Sequence, residues 1–454
     1  MGLRKPQLSR DDVNALSQVS QAYRTQCEPI IFYSITLSDR KKRCVRISKR
    51  ILRRLENPDD SLVGSVRHIT VRYTSESAVL PDKSLLRALR NVKTLESLKW
   101  CTWLPVTTEI LQCLHEKHAS ARLEVLAHER NDLPLDEALI SSPQLHTLNI
   151  KLSALYDKNF RKPMGKSELG QLKKLLIQGG NLKALCLQFE KIKHGSRSAR
   201  NRFQLYGPSE CDPVTFKFDD QETLPALKVL VLRDMFSWGE HRTAFNVTAM
   251  QAWKDHQDWS MLRTLDLRTE GGEEMLGILT TSVPRLQELM ISLRFHGYPT
   301  NTTIANFLQS AHHLIHLHIE CHSGLSLDIL SLIYHTVSAQ LVCLDIELGH
   351  HLQSWEADQF QYLLSCTPKL EALTLFDAAT RTVSGAWTAT EAMLPAEIKV
   401  KSLTEAACER RAYQQRSTLD RNSEAHCSAT GFWYWIDRPV PPNWLGYTEN
   451  KRAA

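Results

Sequence analysis

Residues Leu314–His322 read LIHLHIECH. Leu314, Leu317 and Ile319 stand three and then two positions apart, with His316, His318 and Glu320 in the alternate places. The same spacing of large apolar side chains recurs at Leu95/Leu98/Trp100, Leu145/Leu148/Ile150, Leu182/Leu185/Leu187 and Leu227/Leu230/Leu232. It returns at Leu262/Leu265/Leu267, Leu286/Leu289/Ile291, Leu341/Leu344/Ile346 and Leu370/Leu373/Leu375, with weaker copies at Val66/Ile69/Val71 and Leu123/Leu126. From Leu262 onward the steps between copies are 24, 28, 27 and 29 residues. Self-similarity at a fixed period marks a repeat architecture and is read before any local motif.

The Leu-x-x-Leu-x-Leu spacing is the strand signature of a leucine-rich repeat. Each step has room for a strand, a loop and a helix. Pro143, Pro225, Pro284 and Pro368 stand two residues before the first leucine of their copies, where proline stops a helix and favours extended chain. Ser326 and Ser354 are expected to cap the helices that follow them, and Thr302 and Thr107 those around Ile304–Leu308 and Ile110–Leu114. One unit cannot bury its own leucines, but stacked units share a continuous core. The predicted fold is therefore an α/β leucine-rich-repeat solenoid, a horseshoe with a parallel concave sheet and convex helices. The array is expected over residues 61–378, with insertions near 188–225 and 234–260. In the second insertion Trp253 and Trp259 are expected to pack on the neighbouring repeat. Residues 379–454 read as an irregular cap or tail, its aromatic string GFWYWIDRPVPPNWLG covering the end of the array.

Side chains alternate faces along a strand. With Leu317 and Ile319 inward, His316, His318 and Glu320 point to the concave face, beside Asp345 and Glu347 of the next repeat. The residues expected to contact a partner are Asp266, Arg268, Glu288, Arg294, His316, His318, Glu320, Asp345, Glu347 and Phe376. His316, His318, Asp345 and Glu347 are also legitimate metal-ligand types. The polar concave surface that any such array must carry is the preferred reading, so no cofactor or metal is expected. His312 and His313 fall in the approach loop and point elsewhere.

Composition sets the remaining bounds. A net charge of +6 over 454 residues is a mild bias that does not by itself imply nucleic acid. The eleven cysteines are scattered and lack a Cys-x-x-Cys pair, as in reduced proteins of the cytoplasm or nucleus. No signal peptide or membrane span is expected. Gly-x-Ser-x-Gly, P-loop, Gly-x-Gly-x-x-Gly and His-Glu-x-x-His patterns are all missing. The run from Arg40 to Arg54 carries nine Lys or Arg, with Cys44, Ile47, Ile51 and Leu55 at helical spacing. It reads as a solvated amphipathic helix at the start of the array; a nuclear-import or phosphate-binding patch is the alternative.

Ahead of it, Ser9 and Asp12 form a candidate capping box, and Val13, Leu16, Val19 and Tyr23 a helical stripe. Pro29 is expected to end this helix, before a strand in which Ile31, Tyr33, Ile35 and Leu37 alternate. The string LSQVSQAYRTQCEPIIFYSITL resembles the second half of an F-box as found in fungal F-box/leucine-rich-repeat proteins. Val66-Arg67-His68-Ile69 and the Trp-x-x-His-x-x-Trp-Ser-x-Leu phrase at Trp253–Leu262 are similar to theirs. That resemblance makes residues 1–60 an F-box-like remnant and a basic helical N-cap. It implies that Leu16, Val19, Tyr23 and Pro29 dock a Skp-type adaptor, while the repeats hold a substrate for a cullin-type ubiquitin ligase. The family's opening Leu-Pro-x-Glu helix is not matched ahead of Ser9, so an incomplete adaptor surface is expected. The other readings are a scaffold without a ligase link and a metal-dependent enzyme using the His/Asp/Glu cluster.

Overall fold

The computed structural model describes residues 10–39, 42–73, 82–102, 104–128, 135–152, 168–189, 218–219, 221–234, 247–268, 272–293, 300–321, 333, 336–337, 340–348, 369–370 and 372–377. Its elements in chain order are α1 (Arg10–Val19), α2 (Gln21–Ile31), β1 (Ser34–Ser38), α3 (Lys42–Leu55), α4 (Ser61–Ser65), β2 (His68–Arg72), α5 (Asp82–Asn91), β3 (Ser97–Trp100) and α6 (Thr108–Lys117). There follow β4 (Arg122–His128), α7 (Glu137–Ile140), β5 (Leu145–Leu152), α8 (Glu168–Gly179), β6 (Ala184–Phe189), β7 (Val229–Asp234), α9 (Val247–Asp255), β8 (Thr264–Leu267) and α10 (Gly272–Leu279). The last are β9 (Glu288–Leu293), α11 (Thr300–Ser310), β10 (His316–Cys321), β11 (Cys343–Leu348) and β12 (Ala372–Asp377). Strands β1 to β8 stand side by side in chain order, and so do β10 to β12. Two compact units divide the chain. One runs to Leu289 and takes in Thr302–His313, and the other holds Met290–Asn301 and the chain from Leu314 on.

In the first unit, β1 to β8 pair in parallel, each with the next. Parallel neighbours need a crossover between them, which is why helical segments alternate with strands. The repeating apolar positions fall in register and form two rows. One runs Ile35, Ile69, Leu98, Leu123; the other runs Leu37, Val71, Trp100, Val125. Every one of these side chains is buried. The copy at Leu123/Leu126 is irregular, because the register shifts twice between β4 and β5. Beyond it the rows resume with Leu148, Leu185, Leu230 and Leu265. In the second unit β10, β11 and β12 are parallel, and Leu317 and Ile319 lie beside Leu344 and Ile346, all buried.

Helices close the leucine face. Helix α6 buries Ile110, Leu111, Cys113 and Leu114 and starts after Thr107, whose side chain makes no capping bond. Helix α11 begins at Thr300, two residues ahead of the expected cap, so Thr302 is helical and exposed. Trp253 on α9 and Trp259 are buried with ring centroids 6.2 Å apart, and α9 lies against α10 as the sequence implied. Gly272 opens α10 because a Cβ there would run into the Leu267 carbonyl oxygen.

Side-chain bonds stitch one repeat to the next. The last carbonyls of a helix lack intrahelical donors, and here the following repeat supplies them. Asn91 Nδ2 donates to the carbonyls of Leu55 and Glu56 at 3.0 and 2.9 Å. His118 Nε2 lies 2.8 Å from the Leu89 carbonyl, and Gln144 Nε2 donates to the His118 carbonyl at 2.5 Å.

The N-terminal segment departs from expectation in four ways. The stripe of Leu16, Val19 and Tyr23 is not one helix. Ser20 breaks it, capping α2 by accepting from the Tyr23 N–H, a bond that side chain makes only in extended conformation. Pro29 does not end α2, since its fixed φ suits a helix and the Phe32 N–H still reaches the Glu28 carbonyl at 3.0 Å. Ile31 consequently closes the helix, and only Ile35 and Leu37 of the predicted alternation are buried strand residues. On α3 the buried stripe is Ser48, Leu52 and Leu55, leaving Ile47 exposed; Ser48 Oγ bonds both backbone groups of Ser38 and sets that rotation. The expected caps Ser9, Ser326 and Ser354 and the tail 379–454 lie outside the described residues.

Two measurements probe this core. Leu98→Ala is expected to lower unfolding free energy by roughly 2–5 kcal/mol in urea, while Ile30→Ala on the exposed surface changes it by less than about 0.5 kcal/mol. Burial holds the His118 imidazole below its ordinary 6.5, against the pull of the Leu89 carbonyl. The unfolded chain therefore takes up the proton first, and the stability that neutral His118 contributes is complete above that value and lost as pH falls. Urea midpoints between about pH 5 and 7 are expected to depend less on pH in His118→Asn than in the wild type.

Candidate functional site

The second face of the sheet carries the polar side chains, and it changes character along the first unit. On β2 to β4 it is open and charged: His68, Thr70, Arg72, Ser97, Lys99 and Glu124 are half-buried and Arg122 is exposed. Lys99 Nζ pairs with Glu124 Oε2 at 3.1 Å. His68 Nδ1 lies 2.8 Å from Ser97 Oγ, its Nε2 lies 3.7 Å from Glu96, and the Tyr33 ring meets it edge-on. Burial lowers the His68 pKa, partly offset by Glu96 and Glu124. From β5 the same face is closed: Asn149, Cys186, Gln188 and Val231 are all buried. Gln188 Nε2 donates to Asn149 Oδ1, whose own amide donates to the Leu126 carbonyl.

On β7 and β8 this face holds a buried charge triad. Asp266 is 0% exposed, and its carboxylate accepts from Arg233 Nε at 2.8 Å and from Arg268 Nε and Nη2 at 3.0 and 2.9 Å. Burial alone would raise its pKa. The two guanidiniums outweigh that and hold the carboxyl well below the usual range. In the row behind it, Thr264 Oγ1 donates to Glu288.

In the second unit, β10 and β11 pair His316 with Cys343, His318 with Asp345 and Glu320 with Glu347. The sequence placed these side chains correctly on one face, but solvent does not bathe them all. His316 is 3% and Asp345 4% exposed. His316 Nε2 donates to Asp345 Oδ2 at 3.0 Å, and His318 lies 3.9 Å from the same oxygen and 3.7 Å from Glu320. Cys343 Sγ is 3.9 Å from Asp345 Oδ1. Burial would raise the Asp345 pKa, yet bonding to His316 and His318 holds it well below the ordinary value.

The predicted contact surface is therefore corrected in part. Asp266, His316 and Asp345 are interior polar groups held by their neighbours, not solvent-facing anchors. Arg268, Glu288, His318 and Glu320 are half-buried. Glu347 and Phe376 occupy neighbouring register positions on β11 and β12. Arg294 lies outside the described residues. Reasoning from sequence missed the open charged stretch His68, Lys99, Arg122 and Glu124, although the weak repeat copies at Val66 and Leu123 mark their strands.

Two further surfaces lie on the N-terminal helices. Lys42, Arg43, Arg46, Lys49, Arg50 and Arg53 are all exposed on α3. Arg54 is not part of that solvated face. It bonds Asp60 at 2.9 and 2.8 Å and Glu28 at 2.6 Å, and Glu28 also accepts from Ser61 Oγ. These bonds seat α2 on α3 and α4. Among the described residues, the large hydrophobic side chains left exposed are Val19, Tyr23, Ile30, Tyr33 and Ile47. Val19 is 69% and Ile30 63% exposed. Leu16 is half-buried and Pro29 exposed.

No protein-family model and no curated protein sequence matches this chain. No helix among the described residues is long and apolar enough to cross a membrane.

Asp266→Asn strips the compensating charge from two partly buried guanidiniums and is expected to cost about 3–5 kcal/mol in urea unfolding. Replacing Arg233, Asp266 and Arg268 together by Leu is expected to cost less than that single change, since no uncompensated charge remains. Because the folded carboxyl titrates below the unfolded one, its stabilisation is complete above the ordinary value of 3.8 and is lost as pH falls.

Proposed function

We propose that this chain is a leucine-rich-repeat recognition protein without catalytic activity, acting as an F-box-like substrate receptor of a cullin-type ubiquitin ligase. Its parallel strands form the concave sheet of a solenoid, and a protein partner binds the open, charged part of the polar face. The exposed apolar side chains of α1 and α2 bind a Skp-type adaptor. The observation that carries this reading is the concentration of exposed large hydrophobics at Val19, Tyr23 and Ile30. Clustered exposed apolar side chains mark an interaction site, and these fall within the string that resembles an F-box. The Glu28–Arg54 anchor supports it further by holding α2 against α3, so that its apolar residues are presented on a fixed support. Among the described residues Cys27, Cys44, Cys101, Cys113, Cys186 and Cys343 are free thiols, which supports a reducing compartment, cytoplasm or nucleus.

The test is direct binding of the purified full chain to a purified Skp-type adaptor. Capture is expected, and Val19→Glu with Ile30→Glu is expected to abolish it without moving the thermal unfolding midpoint. Failure of the unaltered chain to capture the adaptor sinks the ligase reading and leaves a repeat scaffold. A separate arm tests the sheet. Lys99→Glu with Glu124→Lys keeps that pair but inverts its local charges, and is expected to weaken the partner's binding while adaptor capture persists.

A further inference from the structure

Two carboxylates are buried on the polar face, and they are neutralised differently. Asp266 is flanked by two guanidiniums. Asp345 has none: among the described residues, the side chains reaching it are His316, His318 and Cys343, and no lysine or arginine pairs with it. A buried anion requires a compensating cation or a full set of donors. Here the surrounding groups are two imidazoles and a thiol, each of which is itself a metal ligand.

The geometry comes from parallel pairing. His316 and His318 lie two apart on β10, and Cys343 and Asp345 two apart on β11, so all four share one face. His316, Cys343 and Asp345 each offer a ligand atom within 4.8 Å of the other two. His318 Nδ1 lies 3.9 Å from Asp345 Oδ2 but does not join that group of mutually close ligand atoms. The ligand atoms of a tetrahedral zinc ion stand roughly 3.3–3.7 Å apart. His316 Nε2 stands 3.0 Å from Asp345 Oδ2 and Cys343 Sγ 3.9 Å from Oδ1, on either side of that range.

We propose that His316, Cys343 and Asp345 form a site for a single transition-metal dication of the zinc type, tying β10 to β11. This goes beyond the recognition reading and does not depend on it. One nitrogen, one sulfur and one oxygen suit zinc or cobalt in tetrahedral coordination, whereas calcium and magnesium take oxygen ligands. Binding is a ligand exchange with no redox step. The Cys343 thiol loses its proton to solvent, and the His316 proton on Nε2 moves to Nδ1 through solvent, freeing Nε2 for the metal. With three positions filled by protein, the fourth is left to water, and binding stabilises the folded chain.

The experiment uses full-length protein, reduced and stripped with chelator, then titrated with zinc alone or cobalt alone. Elemental analysis is expected to find one tightly held zinc per chain. The cobalt form is expected to show a thiolate-to-metal charge-transfer band together with tetrahedral visible bands. Cys343→Ser is expected to lose the charge-transfer band and to weaken zinc binding by at least about tenfold. His316→Gln keeps the charge-transfer band but is expected to lose affinity similarly. Circular dichroism of the metal-free forms shows that each variant is folded. If Cys343→Ser does not fold, the His316→Gln comparison and the wild-type cobalt spectrum decide the matter. Substoichiometric zinc, a cobalt spectrum without thiolate character, or unchanged affinity in folded variants overturns the proposal.

Discussion

Inward leucines of the inner strands are covered by their counterparts one strand before and one strand after. Leu98 lies between Ile69 and Leu123 in register, and none of the three has a place to hide within its own repeat. Burial of a side chain of this size is worth roughly 1.5–3 kcal/mol, and no single strand–helix unit obtains it alone. The same dependence extends to hydrogen bonds. Asn91, His118 and Gln144 satisfy carbonyls that belong to earlier segments of the chain. The repeats therefore share both their apolar contacts and their polar satisfaction with nearest neighbours, which is the energetic structure of a linear array.

The other face follows from the same pairing and has a harder problem. It must place polar side chains where water is partly or wholly excluded. Three solutions appear in this molecule. On β2 to β4 charges stay half in water and pair across strands, as Lys99 does with Glu124. On β5 and β6 two neutral amides bond one another, Gln188 with Asn149. At Asp266 and Asp345 a full charge is buried, and compensation comes in one case from guanidiniums and in the other from groups that also bind metals. On the open stretch the side chains stay partly hydrated, so their charges need no full compensation within the protein.

The N-terminal helices have the opposite imbalance. Helix α2 is fixed by Glu28, which bonds Arg54 and Ser61, and by Arg54 packing over the Phe32 ring. Yet it leaves Tyr23 and Ile30 exposed. Polar contacts on one side thus hold a helix whose apolar side chains on the other meet water.

The amino-acid sequence by itself determined the recurring strands, the inward rows and the common face of His316, His318 and Asp345. Those follow from spacing, because a strand alternates strictly and a row of aliphatic side chains has only one favourable destination. His316, His318, Asp345 and Glu347 were placed together from that rule alone. Local sequence was a weaker guide where two signals competed. Proline is helical as well as helix-ending, so Pro29 sits inside α2, and Ser20 interrupts a stripe that apolar spacing alone would have continued. What only the tertiary structure decided is how much water each polar residue keeps. Burial of His316 and Asp266 depends on the neighbouring strands and on whatever packs over that face, and no periodicity in a single strand encodes those neighbours. The triad of Arg233, Asp266 and Arg268 joins residues from different repeats, and Arg54 left its basic run to pair with Glu28 and Asp60. Electrostatic pairing acts through space at a few ångströms, whereas sequence patterns report only what lies nearby along the chain.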